Sequence, residues 1–336
     1  MKAVLLREFG PPEVLRLEEV PTPEPGPNEV LIRVHAVSVN RTLDLVVRAG
    51  KYAVPPKLPH VLGVDPSGVI IAVGSAVTKR KAGDRVATLQ YLRPPTPTSP
   101  PALLGVHGWG GYAEYVKVPA QMTVPIPDGV DFPTATVVAR HAPAAFSLLR
   151  DTAQLKSGES ILIMGAAGGL GSAGIQAAKY FGAKTVIAAA GADERVRAAL
   201  ELGADHGINY RTQDLTAEVM RITGNQGVNV VFENIGDPDL FPKALASLSR
   251  LGRLVTAGGH GGGTVPLDVK RLYLNQLTLY GNFGKVMPAD VELGLKAAAE
   301  GRYRVLIDRV LPLALAAEAH RLVDARTGTG KVLLKP

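Results

Sequence analysis

The run Gly165-Ala166-Ala167-Gly168-Gly169-Leu170-Gly171 limits the fold more than any other stretch of the chain. Before it stands Ser160-Ile161-Leu162-Ile163-Met164, which reads as a buried strand, and after it Ser172 to Phe181 reads as a helix with small residues on its near side. Strand, bare turn and helix in that order open a βαβ unit. A dinucleotide pyrophosphate needs backbone N–H groups at a helix N-terminus and no side chains in its path. Gly168, Gly169 and Gly171 give that access, and Gly171 also lets the helix approach the strand. The spacing departs from a strict G-x-G-x-x-G because Ala167 takes the middle position. A lone glycine motif is weak, but this one has the strand and helix around it that the motif requires. Ala167, Gly168, Gly169 and Leu170 are therefore expected at the cofactor. The competing reading is a glycine-rich turn in some other α/β protein.

The rhythm continues downstream. Thr185 to Ala189, Val228 to Phe232, Gly252 to Thr256 and Thr278 to Gly281 read as strands, and Ala192 to Leu202 as a helix. Thr134 to Leu149 reads as a helix bent at Pro143. Strands alternating with helices imply a parallel sheet covered on both faces. Upstream of about Asp131 the pattern is different, with short strands at Val30 to Val37 and Gly68 to Gly74 and a turn at Gly83-Asp84-Arg85-Val86. Tyr91 to Gly108 holds Pro94, Pro95, Pro97, Pro100 and Pro101 and reads as a surface loop. The tail predicts a helix near Ala289 to Glu300, a strand at Arg309 to Leu313, a helix near Leu315 to Val323 and a strand at Lys331 to Leu334. We expect residues 1–131 and 283–336 to form one domain and 132–282 another.

Composition removes several function classes. The chain of 336 residues has no cysteine, which excludes disulfides and thiolate metal ligands and is compatible with the cytoplasm. The net charge of +7 is spread along the chain without a basic run or interleaved aromatics, so no nucleic-acid partner is expected. The first residues do not read as a signal peptide, and no apolar run reaches the ~20 residues that span a bilayer. A small, phosphate-bearing molecule is the expected partner.

The second strand of the unit indicates which dinucleotide. An NAD site usually puts an acid about 20 residues on, against the ribose 2′-hydroxyl. Here the strand ends Ala188-Ala189-Ala190-Gly191, and Asp193 is followed by Arg195. A cation without a carboxylate at the strand end suits the 2′-phosphate of NADPH; otherwise Arg195 is a solvated helix residue.

These segments resemble a known family. Gly165 to Gly171, Ala198-Ala199-Leu200-Glu201-Leu202-Gly203-Ala204-Asp205, Ile208-Asn209-Tyr210-Arg211 and Gly252-Arg253-Leu254-Val255 resemble the coenzyme half of zinc-free quinone oxidoreductases. Gly83-Asp84-Arg85-Val86, Gly110-Gly111-Tyr112-Ala113-Glu114-Tyr115-Val116 and Gly330-Lys331-Val332-Leu333-Leu334 resemble the rest of the same medium-chain dehydrogenase/reductase superfamily. The resemblance covers nearly the whole chain. It implies an α/β fold: a GroES-like β-rich catalytic domain with an inserted Rossmann domain, a doubly wound parallel sheet. It implies 2′-phosphate contacts from Arg195, Tyr210 and Arg326, and a homodimer paired along the strand edge near Leu277 to Gly281.

The resemblance also locates the zinc ligands of metal-dependent relatives, which would fall at or beside Asn40-Arg41, at Val64-Asp65 and at about Arg140. Valine and arginine do not bind zinc, so no metal is expected. Without a Lewis acid, alcohol oxidation is harder to arrange than reduction of a quinone or an α,β-unsaturated carbonyl compound, in which a few hydrogen-bond donors stabilise the oxyanion. The substrate candidates are Asn40, Arg41, Asp44, Tyr52, Arg140 and His141, with Asn40, Asp44 and His141 as the catalytic candidates. The segment Val39-Asn40-Arg41-Thr42-Leu43-Asp44 looks like the family's Asn-x-x-Asp with one extra residue. The bland alternatives are a structural carboxylate for Asp44 and a loop aromatic for Tyr52. Asn234 and Asn282 are expected near the ribose or nicotinamide, or else as turn residues. An alcohol dehydrogenase-like enzyme and a cofactor-binding protein with little turnover remain as other readings.

Overall fold

Buried strands that alternate with helices after Ser160 build one six-stranded sheet. In chain order its strands are Ser160–Met164, Thr185–Ala190, His206–Asn209, Val228–Glu233, Leu248–Thr256 and Thr278–Gly281. All neighbours are parallel, and the spatial order is third, second, first, fourth, fifth, sixth. The order reverses between the first and fourth strands, the switch point where open α/β sheets bind ligands at the strands' carboxyl ends. The first strand is buried from Ile161 to Met164, as a strand covered on both faces must be. Asp214 starts the helix Leu215–Ile222 by accepting from the Ala217 amide at 2.8 Å.

The computed structural model describes residues 1–96, 98–326 and 328–336. The chain divides into two compact units. One comprises Met1–Arg140, Met287–Glu300 and Ile307–Pro336; the other comprises His141–Val286 and Gly301–Leu306. The short piece Gly301–Leu306 joins the second unit for a local reason. Tyr303 is buried against Phe146, with ring centroids 6.2 Å apart, and the Arg304 amide donates to Gln176 at 3.0 Å. Such an aromatic pair adds about 0.5–1.5 kcal/mol beyond its buried area.

In the first unit the ten-residue strand Glu29–Ser38 is the central element. It pairs with Ser67–Val73, Tyr115–Pro119 and the final strand Lys331–Lys335 in a seven-stranded sheet. Leu333 pairs antiparallel with Ser38 and Leu334 with Val37. The same register continued by two residues sets Lys331 opposite Asn40.

Three local features differ from the sequence-based expectation. The helix after the glycine run begins at Gly169, not near Ser172, because tertiary packing overrides the poor helix propensity of glycine. Within Tyr91 to Gly108 the flanks of the proline run pair as short strands, Tyr91–Arg93 with Ala102–Leu103; Pro97 lies outside the described residues. The extra residue between Asn40 and Asp44 is absorbed by a π-helical turn, Arg41–Leu45, the usual way a helical turn takes up one insertion. Among the described residues no helix is long and apolar enough to cross a membrane.

A buried polar chain ties the helix Ala316–Ala325 into this unit. His320 is fully buried, with Nδ1 3.3 Å from Arg48 Nη1 and Nε2 3.2 Å from the Tyr112 hydroxyl. Arginine only donates, so Nδ1 accepts and Nε2 carries the proton. Burial, with the Arg48 charge assisting, lowers the imidazole to about 3. Between that value and the ordinary 6.5 the unfolded chain binds the extra proton, so this group makes stability fall as pH falls through that window. In denaturant titrations at pH 7 and pH 4 we expect His320→Asn to lose less stability between the two pH values than the parent protein; an equal loss would refute the assignment.

Candidate active site

The first strand of the parallel sheet delivers the chain into a turn that tolerates no side chains. Gly165 has φ +62°, and Asn234, just past the neighbouring strand Val228–Glu233, braces it: its Nδ2 donates to the Met164 carbonyl at 2.6 Å. A Cβ on Gly165 would come within 2.8 Å of Asn234 Oδ1, and one on Gly171 would overlap the Gly165 carbonyl oxygen. Gly168 is extended (φ −74°, ψ 165°) and precedes the helix Gly169–Tyr180. The first-turn amides of a helix have no intrahelical acceptor, so Gly169 and Leu170 offer N–H groups at the switch point, whereas the Gly168 amide is turned back on the Gly165 carbonyl at 2.9 Å. These residues fit a diphosphate. His141 stands on the same turn, since a Cβ on Gly169 would overlap its ring at Nε2.

At the end of the second strand, a Cβ on Gly191 would lie 2.9 Å from the Tyr210 hydroxyl oxygen. Arg195 is in the first turn of the helix Asp193–Glu201. The nearest acid, Asp193, accepts from Asn209 Nδ2 at 2.7 Å. Asn282 bonds within its own surroundings, donating to Thr152 Oγ1 at 2.8 Å and accepting from the Gly284 amide at 3.0 Å.

In the first unit, polar groups converge on Asn40, which is 3% exposed. Its Oδ1 accepts from Lys331 Nζ at 2.8 Å and from Arg140 Nε at 3.3 Å. Its Nδ2 lies 3.2 Å from Asp65 Oδ2 and 3.2 Å from Ser38 Oγ. Arg140 also donates to Gln90 Oε1 at 2.5 Å. Burial lowers the Lys331 ammonium to about 8; Asp65 opposes this and the Arg140 charge adds to it.

Asp44 is 1% exposed and accepts from the Asn40 amide at 2.7 Å and the Gly63 amide at 3.2 Å. Burial and then the Asp65 charge push its carboxyl up to about 6. The geometry gives it a holding role in the π turn. Arg41 has a buried Nε without a partner among the described residues, and burial and the Arg326 charge lower its guanidinium. Arg326 is exposed and left-handed at φ 55°. Tyr52 packs edge-on to His107 with centroids 6.3 Å apart. His60 is 3% exposed, and burial lowers its imidazole, leaving it neutral.

Sequence reasoning missed Lys331, Gln90 and Asp65 as members of this cluster. Lys331 opens the final strand, but its partner is 291 positions away. The cluster does not fit zinc. The Asn40 oxygen already serves two cations, a further divalent ion would be repelled by both, and Val64 offers no donor. Among the described residues no group of three or more His, Cys, Asp or Glu is placed to hold a metal ion.

The packing of His141 on Gly169 has a direct test. Gly169→Ala forces the ring aside, whereas in a His141→Ala background the methyl group has room. We expect a double-mutant cycle on thermal stability or coenzyme affinity to show coupling of about 0.5–3 kcal/mol; additive effects would place the ring elsewhere.

Comparison with known proteins agrees with this geometry. Residues 26–128 match the alcohol dehydrogenase GroES-like domain, and residues 169–300 match the family described as zinc-binding dehydrogenase. The quinone oxidoreductase of Sus scrofa is 33% identical over 344 residues, covering 99% of this chain and 97% of the relative. Among solved structures, AibC superposes with a TM-score of 0.93 at 32% identity, covering 100% of this chain and 96% of that one. An NAD-dependent alcohol dehydrogenase superposes with a TM-score of 0.90 at 34% identity, covering 100% of both chains. With a parallel sheet in this strand order and matches along its whole length, the chain belongs to the medium-chain dehydrogenase/reductase superfamily and is a quinone oxidoreductase-like oxidoreductase.

Proposed function

We propose that this protein is an NADPH-dependent reductase of quinones or α,β-unsaturated carbonyl compounds that works without zinc, with the coenzyme carried on residues 132–282. The observation that carries the reading is the cation cluster on Asn40, which provides hydrogen-bond donors for an oxyanion where a metal does not fit. When bound, the coenzyme supplies hydride. Gly169 and Leu170 hold its diphosphate through backbone amides, Ala167 and Gly168 line its path without side chains that block it, and Asn234 keeps the turn in shape. His141, on the first turn of the cradle, orients the coenzyme beside the reacting carbon. Asp44 fixes the loop that carries Asn40 and Arg41, and Tyr52 and Arg41 border the acceptor.

Three features support the 2′-phosphate. No acid ends the second strand, Asp193 is engaged by Asn209, and the Tyr210 hydroxyl lies over Gly191 with Arg195 nearby in sequence. Arg326 is taken as a further 2′-phosphate contact from the family resemblance. We take the compartment to be the cytoplasm, with which a chain without cysteine is compatible. A homodimer along the edge strand Thr278–Gly281 is supported by exposed Leu251, Val269, Tyr273 and Leu274 in the same unit.

The likeness to an NAD-dependent alcohol dehydrogenase favours a second reading, alcohol oxidation. Coenzyme oxidation with p-benzoquinone, with cyclohexenone and without acceptor separates the possibilities. We expect turnover with an acceptor, no loss after dialysis against a chelator, and affinity for NADPH about tenfold or more above NADH. Arg195→Ala and Arg326→Ala should each narrow that preference. Metal-dependent alcohol oxidation, or coenzyme binding without turnover on either acceptor, would overturn the reading. Sedimentation at micromolar concentration should give a dimer.

A further inference from the structure

Asn40 is a buried amide whose oxygen accepts from two cationic side chains. Two cations drawn to one neutral acceptor repel each other, so the packing maintains an unfavourable concentration of positive charge. The nearby carboxylates of Asp65 and Asp44 offset part of that repulsion at Lys331. Asp44 and Asp65 are each 1% exposed and are committed to the Asn40 and Gly63 amides and to Ser38. Arg140 and Lys331 are only half-buried. The two cations are thus the more accessible charges of the cluster.

Arg140 is the better placed of the two cations to act on a ligand. A guanidinium has about five N–H donors in one plane. This one gives Nε to Asn40 and Nη1 to Gln90, which fixes the plane at two points and leaves the remaining N–H groups to donate. His141 follows Arg140 directly in the chain, and its ring packs on Gly169 of the diphosphate cradle.

We propose that Arg140 is a catalytic residue whose guanidinium, clamped by Asn40 and Gln90, donates to the acceptor oxygen that becomes negative during reduction, with Asn40 as its positioning residue. The inference rests on the reductase reading above. In that reaction the acceptor gains hydride, two electrons with one proton, and a C–H bond forms. Its displaced π pair ends on the carbonyl oxygen, giving an enolate while the coenzyme is oxidised; with a quinone this is the enolate of the keto tautomer, which becomes the hydroquinone by gaining a proton on oxygen and losing one from the ring carbon that received hydride. Water then supplies the proton that neutralises the product. Arg140 stays charged throughout and only stabilises the oxyanion.

The test uses the whole protein. Arg140→Ala should lower kcat about 100-fold or more, the usual effect of losing one oxyanion donor, with affinity for reduced coenzyme nearly unchanged. Added guanidinium ion should restore part of the rate. Asn40→Ala releases the Arg140 Nε; it should lower kcat while leaving acceptor KM and coenzyme affinity nearly unchanged, a split that a purely structural role would not produce. para-Nitrophenolate, a stable oxyanion, serves as a turnover-independent probe. Its affinity for the protein saturated with oxidised coenzyme should fall about tenfold or more in Arg140→Ala. Unchanged phenolate binding with kcat within about threefold of the parent would overturn the proposal and leave the reductase reading intact. A loss confined to coenzyme affinity would also overturn it, because the cation would then serve a coenzyme phosphate. Arg140-dependent phenolate binding in a protein that reduces neither acceptor would retain the oxyanion site and overturn the reductase reading instead.

Discussion

The architecture depends on a backbone turn with no space for side chains. Gly165 reverses the chain at positive φ, and a Cβ on Gly171 would overlap its carbonyl oxygen. That contact sets the helix close above the first strand, where Gly174 lies against Phe232 of the neighbouring strand. Asn234 can then reach the Met164 carbonyl, and the His141 ring can rest on Gly169. Each neighbour presupposes that the turn is bare. The amides left at the helix start are a consequence of that geometry, and anion binding follows from them.

The sequence showed the parallel sheet clearly because both signals involved are local. Buried strands such as Ile161 to Met164 are continuous apolar runs, and the glycines that separate strand from helix are visible without any tertiary knowledge. Boundaries were less legible where packing overruled propensity. A helix starting on Gly169-Leu170-Gly171 has no local advantage, and the segment Gly301–Leu306 takes its place through Tyr303 and the Arg304 amide, whose partners lie far away in sequence. The extra residue before Asp44 was countable, but its accommodation as a π turn was not, since that depends on Asp44 reaching both the Asn40 and Gly63 amides.

The candidate site was legible as residues and much less as relations. Asn40 and Arg140 were recognised from the positions they occupy, and their hydrogen bond joins side chains 100 positions apart. Lys331 enters through sheet register, because the pairing of Leu333 with Ser38 fixes what stands opposite Asn40. No short-range pattern contains that information. Asn40 also changes meaning once its partners are known. As an isolated asparagine it is a donor for a substrate, but here its oxygen serves two cations and its nitrogen faces Asp65 and Ser38.

That change of meaning bears on how an oxidoreductase can stabilise an oxyanion without a metal. A metal ion delivers concentrated charge but needs donors such as thiolate, imidazole or carboxylate, and this chain has no cysteine to offer. Fixed side-chain cations deliver less charge at any one point, yet their orientation is set before the reaction begins. The arrangement is self-consistent only if the cations stay charged. Burial lowers Lys331 to about 8, so around neutral pH it retains its proton, though with little margin on the alkaline side. A guanidinium has no such limit. If the half-buried site is to stay positive, as the proposed role requires, the guanidinium clamped at two points is the group whose charge withstands desolvation, and the lysine bound to the same amide oxygen adds to its field.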